Sequence, residues 1–396
     1  MNFKNPYRPG AGHLPPYLAG RNNEQEQFRQ LLQQQPILKN LVVTGLRGVG
    51  KTVLLETLQP IANDNHWFWA GADLSEDLNS SQEKLCNRII TDVSKLSSSF
   101  DIPDEYNYSI GFKTQSRKLD YSKLIMIFEE TAGLYIDKLK RVLEVVWHTV
   151  KSQINGIVLA YDEAQSLCNN TAKKEYSLSL LLETIQYLQK KEMPFLLILS
   201  GLPNLHSNLI EARTYTERMF QIITLDKLTN AECRQAILNP MQQYTNNDIV
   251  FDEAGINEII KSSNGYPYFI QFFCKEAFDM GVQKIKLGIE NPVILTQDIT
   301  AKLDVDFYSG RWMCVTEKQK ELLSIIADIP TIESGFSHKD IAAQLAKNPD
   351  NQPIKQAYVV NMLLKLTEAG IVYKASRGKY MFAIPMFADF VKRQST

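Results

Sequence analysis

Apolar positions along this chain follow two rhythms, and the two occupy different stretches. Up to about residue 226, short continuous apolar runs alternate with amphipathic segments; beyond Leu228 helical spacing takes over. Trp67 to Ala72 reads as a short aromatic strand and Gln221-Ile222-Ile223-Thr224-Leu225 as a further strand; the continuous runs are Leu41-Val42-Val43, Gly156 to Tyr161 and Pro194 to Gly201. Apolar runs without alternation read as strands covered on both faces, the habit of a parallel sheet. Between them, helical spacing is expected over Arg21–Gln35, where Phe28, Leu31 and Leu32 share a face, over Gln82–Lys95 and over Ser177–Lys190. One long amphipathic helix is expected over Lys123–Gln153, turning Ile127, Leu134, Leu139, Val142 and Val146 to the core. Residues 97–122 have no sustained period and read as a loop.

The C-terminal half predicts helices at Thr229–Asn239, Asp252–Ser263 and Tyr266–Val282, a small lid whose first helix opens with the capping-box pair Thr229 and Glu232. A looser stretch runs through Pro292 and Asp298. Three further helices follow, at Glu317–Ala327, His338–Leu345 and Lys355–Ala369. A hairpin turning at Ser376-Arg377-Gly378-Lys379 comes next. Three helices and a hairpin predict a winged helix-turn-helix, with a last helix, Met386–Arg393, docked by Phe387, Phe390 and Val391. The expected domains are 1–226, 227–300 and 301–396. Residues 5–20 are rich in Pro and Gly but carry interspersed aromatics, which predicts an ordered strap over an apolar surface.

Composition narrows the partners. A formal net charge of −1 excludes a uniformly basic surface, so any nucleic-acid contact must come from a local patch. Five scattered cysteines without C-x-x-C spacing read as reduced thiols rather than disulfides or a zinc site. No apolar run approaches membrane-spanning length and the start lacks a signal-peptide core, so the expectation is a cytoplasmic protein without membrane contact.

The chemistry centres on Gly45-Leu46-Arg47-Gly48-Val49-Gly50-Lys51-Thr52, which fits G-x-x-x-x-G-K-[ST] between a strand and the helix that Val53 continues. Three glycines let successive N–H groups turn into one anion-sized hollow, and the helix start adds its positive end. Lys51 suits the β- and γ-phosphates of a nucleoside triphosphate, and Thr52 suits Mg²⁺. The run Gly156 to Tyr161 ends in Asp162-Glu163, at a strand end where open α/β sheets bind ligands. Asp162 fits a role towards Mg²⁺, or that of a helix cap. Glu163 fits activation of the attacking water. Ser200 ends the next buried strand and is either a γ-phosphate sensor or a turn former, with Asn204 as the alternative sensor. Arg218 precedes a strand and reads as an arginine finger for a neighbouring subunit, or as an arginine at a helix C-terminus.

Taken together, these parts resemble the AAA+ superfamily, in the branch of the origin-recognition and replication-initiator ATPases. Gly45 to Thr52 is similar to Walker A, Tyr161 to Gln165 to Walker B, Ser200 to sensor 1, and Thr216 to Phe220 to the finger motif. Asn5-Pro6-Tyr7 through Gly20-Arg21 resembles the family's N-terminal motif beside the adenine. The resemblance implies an α/β parallel-sheet P-loop core with helical lid and C-terminal winged helix. It also implies ATP and Mg²⁺ as cofactors and ATP hydrolysis at the interfaces of a homo-oligomer. One departure stands out. Asn264 to Gln271 has no sensor 2 arginine, and its Gly-Tyr-Pro form is similar to STAND and archaeal-ATPase relatives, which implies a slow nucleotide switch.

Between Lys355 and Thr396 seven basic residues face two acidic ones. Arg377 and Lys379 on the wing, and Lys355, Gln356, Tyr358, Asn361 and Lys365 on the preceding helix, are candidates to meet double-stranded DNA. Two functions stay open: a DNA-associated, oligomerising ATPase, or an ATP-gated signalling switch whose winged helix holds a protein partner.

Overall fold

The computed structural model describes residues 4–10, 12–74, 81–101, 118–167, 169–170, 175–244, 251–288, 296–347, 356–376 and 378–394. The chain divides into two compact units: one comprises Asn22–Thr44 and Leu54–Thr224, the other Met1–Arg21, Gly45–Val53 and Leu225–Thr396.

The first unit is an α/β sandwich. After α1 (Asn22–Leu32), which buries Phe28, Leu31 and Leu32, come β1 (Asn40–Thr44), α2 (Lys51–Asp64), β2 (Trp67–Asp73) and α3 (Gln82–Ser97). Then follow α4 (Tyr121–Glu130), α5 (Tyr135–Val150), β3 (Gly156–Asp162), the two-residue pair β4 (Asn169–Asn170) and β5 (Glu175–Tyr176), and α6 (Ser177–Lys190). The unit closes with β6 (Phe195–Gly201), α7 (Asn204–Ala212), α8 (Thr216–Met219) and β7 (Phe220–Thr224). Five strands form one parallel sheet in the order β2-β3-β6-β1-β7. All residues of β1, β3 and β6 are buried, as continuous apolar runs require of strands with helices on both faces. Buried Asn40 pins the lower edge: its side-chain oxygen accepts from the Leu197 amide at 2.8 Å and from Gln189 Nε2 at 2.9 Å.

One expectation here is corrected. The helix expected over Lys123–Gln153 is two helices, α4 and α5, broken at Gly133, whose φ of 115° no helix accommodates. Asp120 caps α4 by accepting from the Lys123 amide, and Asp137 restarts the chain by accepting from the Leu134 amide at 3.2 Å. Leu134, expected in the core, is 73 % exposed, whereas Ile127, Leu139, Val142 and Val146 are buried. Most of the loop expected at 97–122 lies outside the described residues.

The second unit is mainly helical. It runs α9 (Asn230–Tyr244), α10 (Glu253–Ser263), α11 (Pro267–Lys286), α12 (Thr296–Leu303), a π-turn (Asp304–Tyr308) and α13 (Ser309–Met313). It continues through α14 (Glu317–Ala327), α15 (His338–Leu345) and α16 (Gln356–Glu368), then the antiparallel hairpin β8 (Val372–Ser376) and β9 (Lys379–Phe382), and α17 (Phe387–Gln394). Phe336 exchanges both backbone hydrogen bonds with Tyr380, adding a short third strand to the hairpin. The three helices and the hairpin thus follow the expected order.

Residues 296–313, read from sequence as loose, are helical. Phe307 and Tyr308 sit between Phe269 on α11 and Phe390 on α17, and the Tyr308 hydroxyl donates to the Pro385 carbonyl. That wedge joins α9–α13 and α14–α17 into one apolar core. The N-terminal segment lies on the same helices. The Asn5 side-chain amide donates to the Lys275 carbonyl, buried Tyr7 donates to the Ile237 carbonyl, and the Arg8 amide donates to Gln271. Among the described residues no helix is long and apolar enough to cross a membrane.

Candidate functional site

In the helical unit, the loop Gly45–Val53 is shaped chiefly by its glycines. Gly48 and Gly50 have φ of 79° and 92°, a region that side-chain-bearing residues rarely enter. Gly45 is required for another reason: a Cβ there would lie 2.7 Å from the Leu225 carbonyl and 2.8 Å from Val49 Cγ2. Lys51 opens α2 and is buried, its ammonium donating to the Gly45 and Leu46 carbonyls at 3.0 Å each. The ammonium thus lies against the loop that it would bridge to a phosphate. Thr52 and Val53 are half-buried beside it on the first turn.

Several braces on the loop were not legible beforehand. Arg21 is buried and donates from Nη2 to the carbonyls of Val49 and Asp226, at 3.1 and 3.0 Å. The Tyr268 amide, one of the donors left open at the start of α11, reaches the Gly48 carbonyl at 3.2 Å. The Arg47 amide meets the Ala383 carbonyl, just beyond β9, at 3.4 Å. The loop is therefore bonded through the backbone to α11 and to the residue that follows β9. Asn264 and Gly265, with φ of 47° and 75°, end α10 and set up the Pro267 start of α11.

In the sheet unit, β3 delivers Asp162 and Glu163 to its C-terminal end. The register pairs Asp162 with Asp73 of β2 and Tyr161 with Leu199 of β6. Asp162 is buried, and its Oδ1 accepts from the Glu163 amide at 2.8 Å. Glu163 stands at φ 53°, a strained conformation for this residue type and one that concentrates at functional sites. Its carboxylate accepts from Gln165 Nε2, and its carbonyl accepts from the Ser166 hydroxyl at 2.7 Å. Desolvation, followed by the negative charges of Asp162 and Glu163, pushes the Asp73 carboxyl above its ordinary range. Among the described residues no three His, Cys, Asp or Glu side chains converge on a metal position. Within the sheet unit, the carboxylates of Asp162 and Asp73, paired across β3 and β2, are hard oxygen donors of the kind that Mg²⁺ takes together with water and phosphate oxygens.

Ser200 is fully buried at the tip of β6. Its hydroxyl and the Asn204 side-chain oxygen make no hydrogen bond among the described residues. Unsatisfied buried polar atoms are rare and call for a partner. Arg218 on α8 is exposed, beside an open groove of about 460 Å³ lined also by Leu38, Gln189 and Tyr215. At the C-terminal end, Lys355 and Arg377 lie outside the described residues. Gln356, Tyr358, Asn361 and Lys365 are exposed, while Val359, Leu363 and Leu366 face the core. Arg393 is engaged by Asp304 in a two-pronged ion pair with a shortest distance of 2.6 Å.

These features can be set against known proteins. A family described as a domain of unknown function (DUF8462) matches residues 305–391, from the π-turn to α17. No curated protein matches the chain. Among solved structures, the Aeropyrum pernix ORC2 protein in its ADP form superposes with a TM-score of 0.56 at 13 % identity, covering 97 % of this chain and 96 % of that one. The ORC1 protein of the same organism, in complex with DNA, gives 0.49 at 14 % identity, with 96 % and 94 % covered. This chain has the fold of an initiator-type AAA+ P-loop ATPase. In this chain Gly45–Gly50 joins β1 to α2, Lys51 and Thr52 open α2, and Asp162 ends β3 with Glu163 next to it.

Proposed function

We propose that this protein binds ATP with Mg²⁺ and hydrolyses it slowly as an oligomerising nucleotide switch associated with double-stranded DNA. The observation that carries the reading is the loop itself, where two positive-φ glycines and a buried Lys51 ammonium come together at a helix start, the combination from which an anion cradle is built. On binding, Lys51 exchanges its two carbonyl partners for β- and γ-phosphate oxygens. Thr52 and Asp162 would hold Mg²⁺, which neutralises phosphate charge when bound. Glu163 accepts a proton from the attacking water, and the unpartnered Ser200 hydroxyl, with Asn204, is satisfied by the γ-phosphate or that water. Exposed Arg218 is free to reach a nucleotide held by a neighbouring copy. The lid presents a backbone amide, Tyr268, to the loop and no arginine over Asn264–Gln271, which favours slow turnover.

Lys374, Lys379 and Lys392 supply exposed or wing-borne positive charge for duplex phosphates, although Arg393 is neutralised by Asp304. A second reading draws on α16. Its outer face carries Tyr358, Val360 and Leu364, the last 52 % exposed, where a groove-reading helix carries polar groups. That face suits a protein partner. Sizing the full-length protein with and without ATP and non-specific duplex, while following phosphate release, tests the main reading. The expected result is ATP-dependent assembly and salt-sensitive duplex binding that Lys374→Glu with Lys379→Glu weakens. Unchanged duplex affinity in that variant would discard the DNA reading in favour of the apolar face of α16.

A further inference from the structure

We propose that Gln165 is a positioning residue that sets the carboxylate of Glu163 and ties it to the tip of β6. The inference rests on Glu163 being the water-activating base.

The amide orientation of Gln165 is decided by its surroundings. Its Oε1 accepts from the Leu202 amide at 3.0 Å, so its Nε2 is the end that donates to Glu163 Oε2. One side chain thus links a carboxylate at the end of β3 to a backbone N–H two residues beyond Ser200. Space for the link is kept at Gly201, where any Cβ would collide with Gln165 Oε1. The backbone beneath is equally held. The Glu163 carbonyl accepts from the Ser166 amide at 3.1 Å and the Ser166 hydroxyl at 2.7 Å, and the Leu74 amide donates to the Asp162 carbonyl at 3.0 Å. The Gln165 carbonyl accepts from Asn208 Nδ2 on α7.

A glutamate side chain free to rotate would spend most of its time away from any one water. Glu163 is instead fixed at both ends, by a left-handed backbone and by an amide donor anchored elsewhere. Any shift of the Ser200–Leu202 turn moves Gln165 and therefore the carboxylate. A polar group satisfied at the β6 tip would be reported to the base through one side chain.

The test uses the full-length protein in steady-state phosphate release, with kcat and KM for ATP measured for each variant. Gln165→Met keeps the volume and removes both hydrogen bonds. Gln165→Glu keeps the acceptor for Leu202 but loses the donor to Glu163. Both variants are expected to lose about 10- to 100-fold in kcat, with KM for ATP little changed. Adding Gln165→Met to Glu163→Gln should cost nothing more, because a residue that acts only through Glu163 has no further effect once Glu163 is neutral. Should Gln165→Met fail to fold, Gln165→Glu in the same cycle carries the test. Wild-type kcat in both variants, or losses that multiply in the double variant, would overturn the proposal. Full turnover in Glu163→Gln alone would instead remove the base assignment beneath it.

Discussion

The loop Gly45–Val53 and the turn Asp162–Ser166 are both short, polar and strained, but they are held in different ways. In the loop, strain falls on glycines, where positive φ costs little, and Lys51 bonds to carbonyls five and six residues away. In the turn, strain falls on Glu163, and its side chain is placed by Gln165, itself anchored 37 residues away at Leu202. Binding surfaces made of backbone can be written locally as glycine spacing. A reacting side chain must be aimed, and the aiming groups come from wherever the fold brings them.

This contrast orders the mutational effects. Exposed Arg218, on α8, belongs to neither segment and is expected to act only between subunits. Arg218→Ala is expected to leave ATP affinity intact and lower turnover by about 10³-fold, with partial recovery on mixing with Glu163→Gln subunits. No recovery on mixing, from a protein that light scattering finds monomeric, would remove the finger role.

Within the loop, Gly45→Ala forces a Cβ against the Leu225 carbonyl, whereas Gly50→Ala meets nothing within 4 Å and strains only φ. Strain of that kind costs about 1–2 kcal/mol, or roughly tenfold in ATP affinity. Gly45→Ala should lose more, and calorimetric titration of the two variants ranks them. The reverse ranking would mean that φ rather than space governs the loop.

The smallest effect concerns stability. The Asp73 carboxyl is pushed up, so ionising it opposes folding, and that penalty is present above the folded pKa and absent once the carboxyl is protonated in both states. Asp73→Asn should therefore raise Tm at pH 7, with the gain closing as pH falls towards the ordinary carboxylate value of about 3.9. A gain that persists unchanged in acid would point to packing rather than charge.

The same distinction explains what could be read from the amino-acid order. β1, β3 and β6 were legible because full burial imposes continuous apolar runs, and the loop because its glycine spacing is local. The break at Gly133 was also written locally, but the amphipathic period runs through it and hides it. The helices at 296–313 were missed because their burial comes from an aromatic wedge, Phe307 and Tyr308, that has no repeat. Arg21 was visible as part of a motif, yet its hold on the Val49 carbonyl depends on contacts 28 residues apart. Gln165 stood inside the acidic motif with no sign of its role, since Leu202 and Gly201 supply the meaning.

The central claim is that Lys51 and the loop amides grip a triphosphate while Glu163 serves only the chemistry. Equilibrium ATP binding and phosphate release, measured side by side on wild type, Lys51→Ala and Glu163→Gln, test it directly. The expected result is loss of binding in Lys51→Ala, and retained binding with turnover down by about 10² to 10⁴ in Glu163→Gln. Wild-type ATP affinity in a folded Lys51→Ala protein would contradict it.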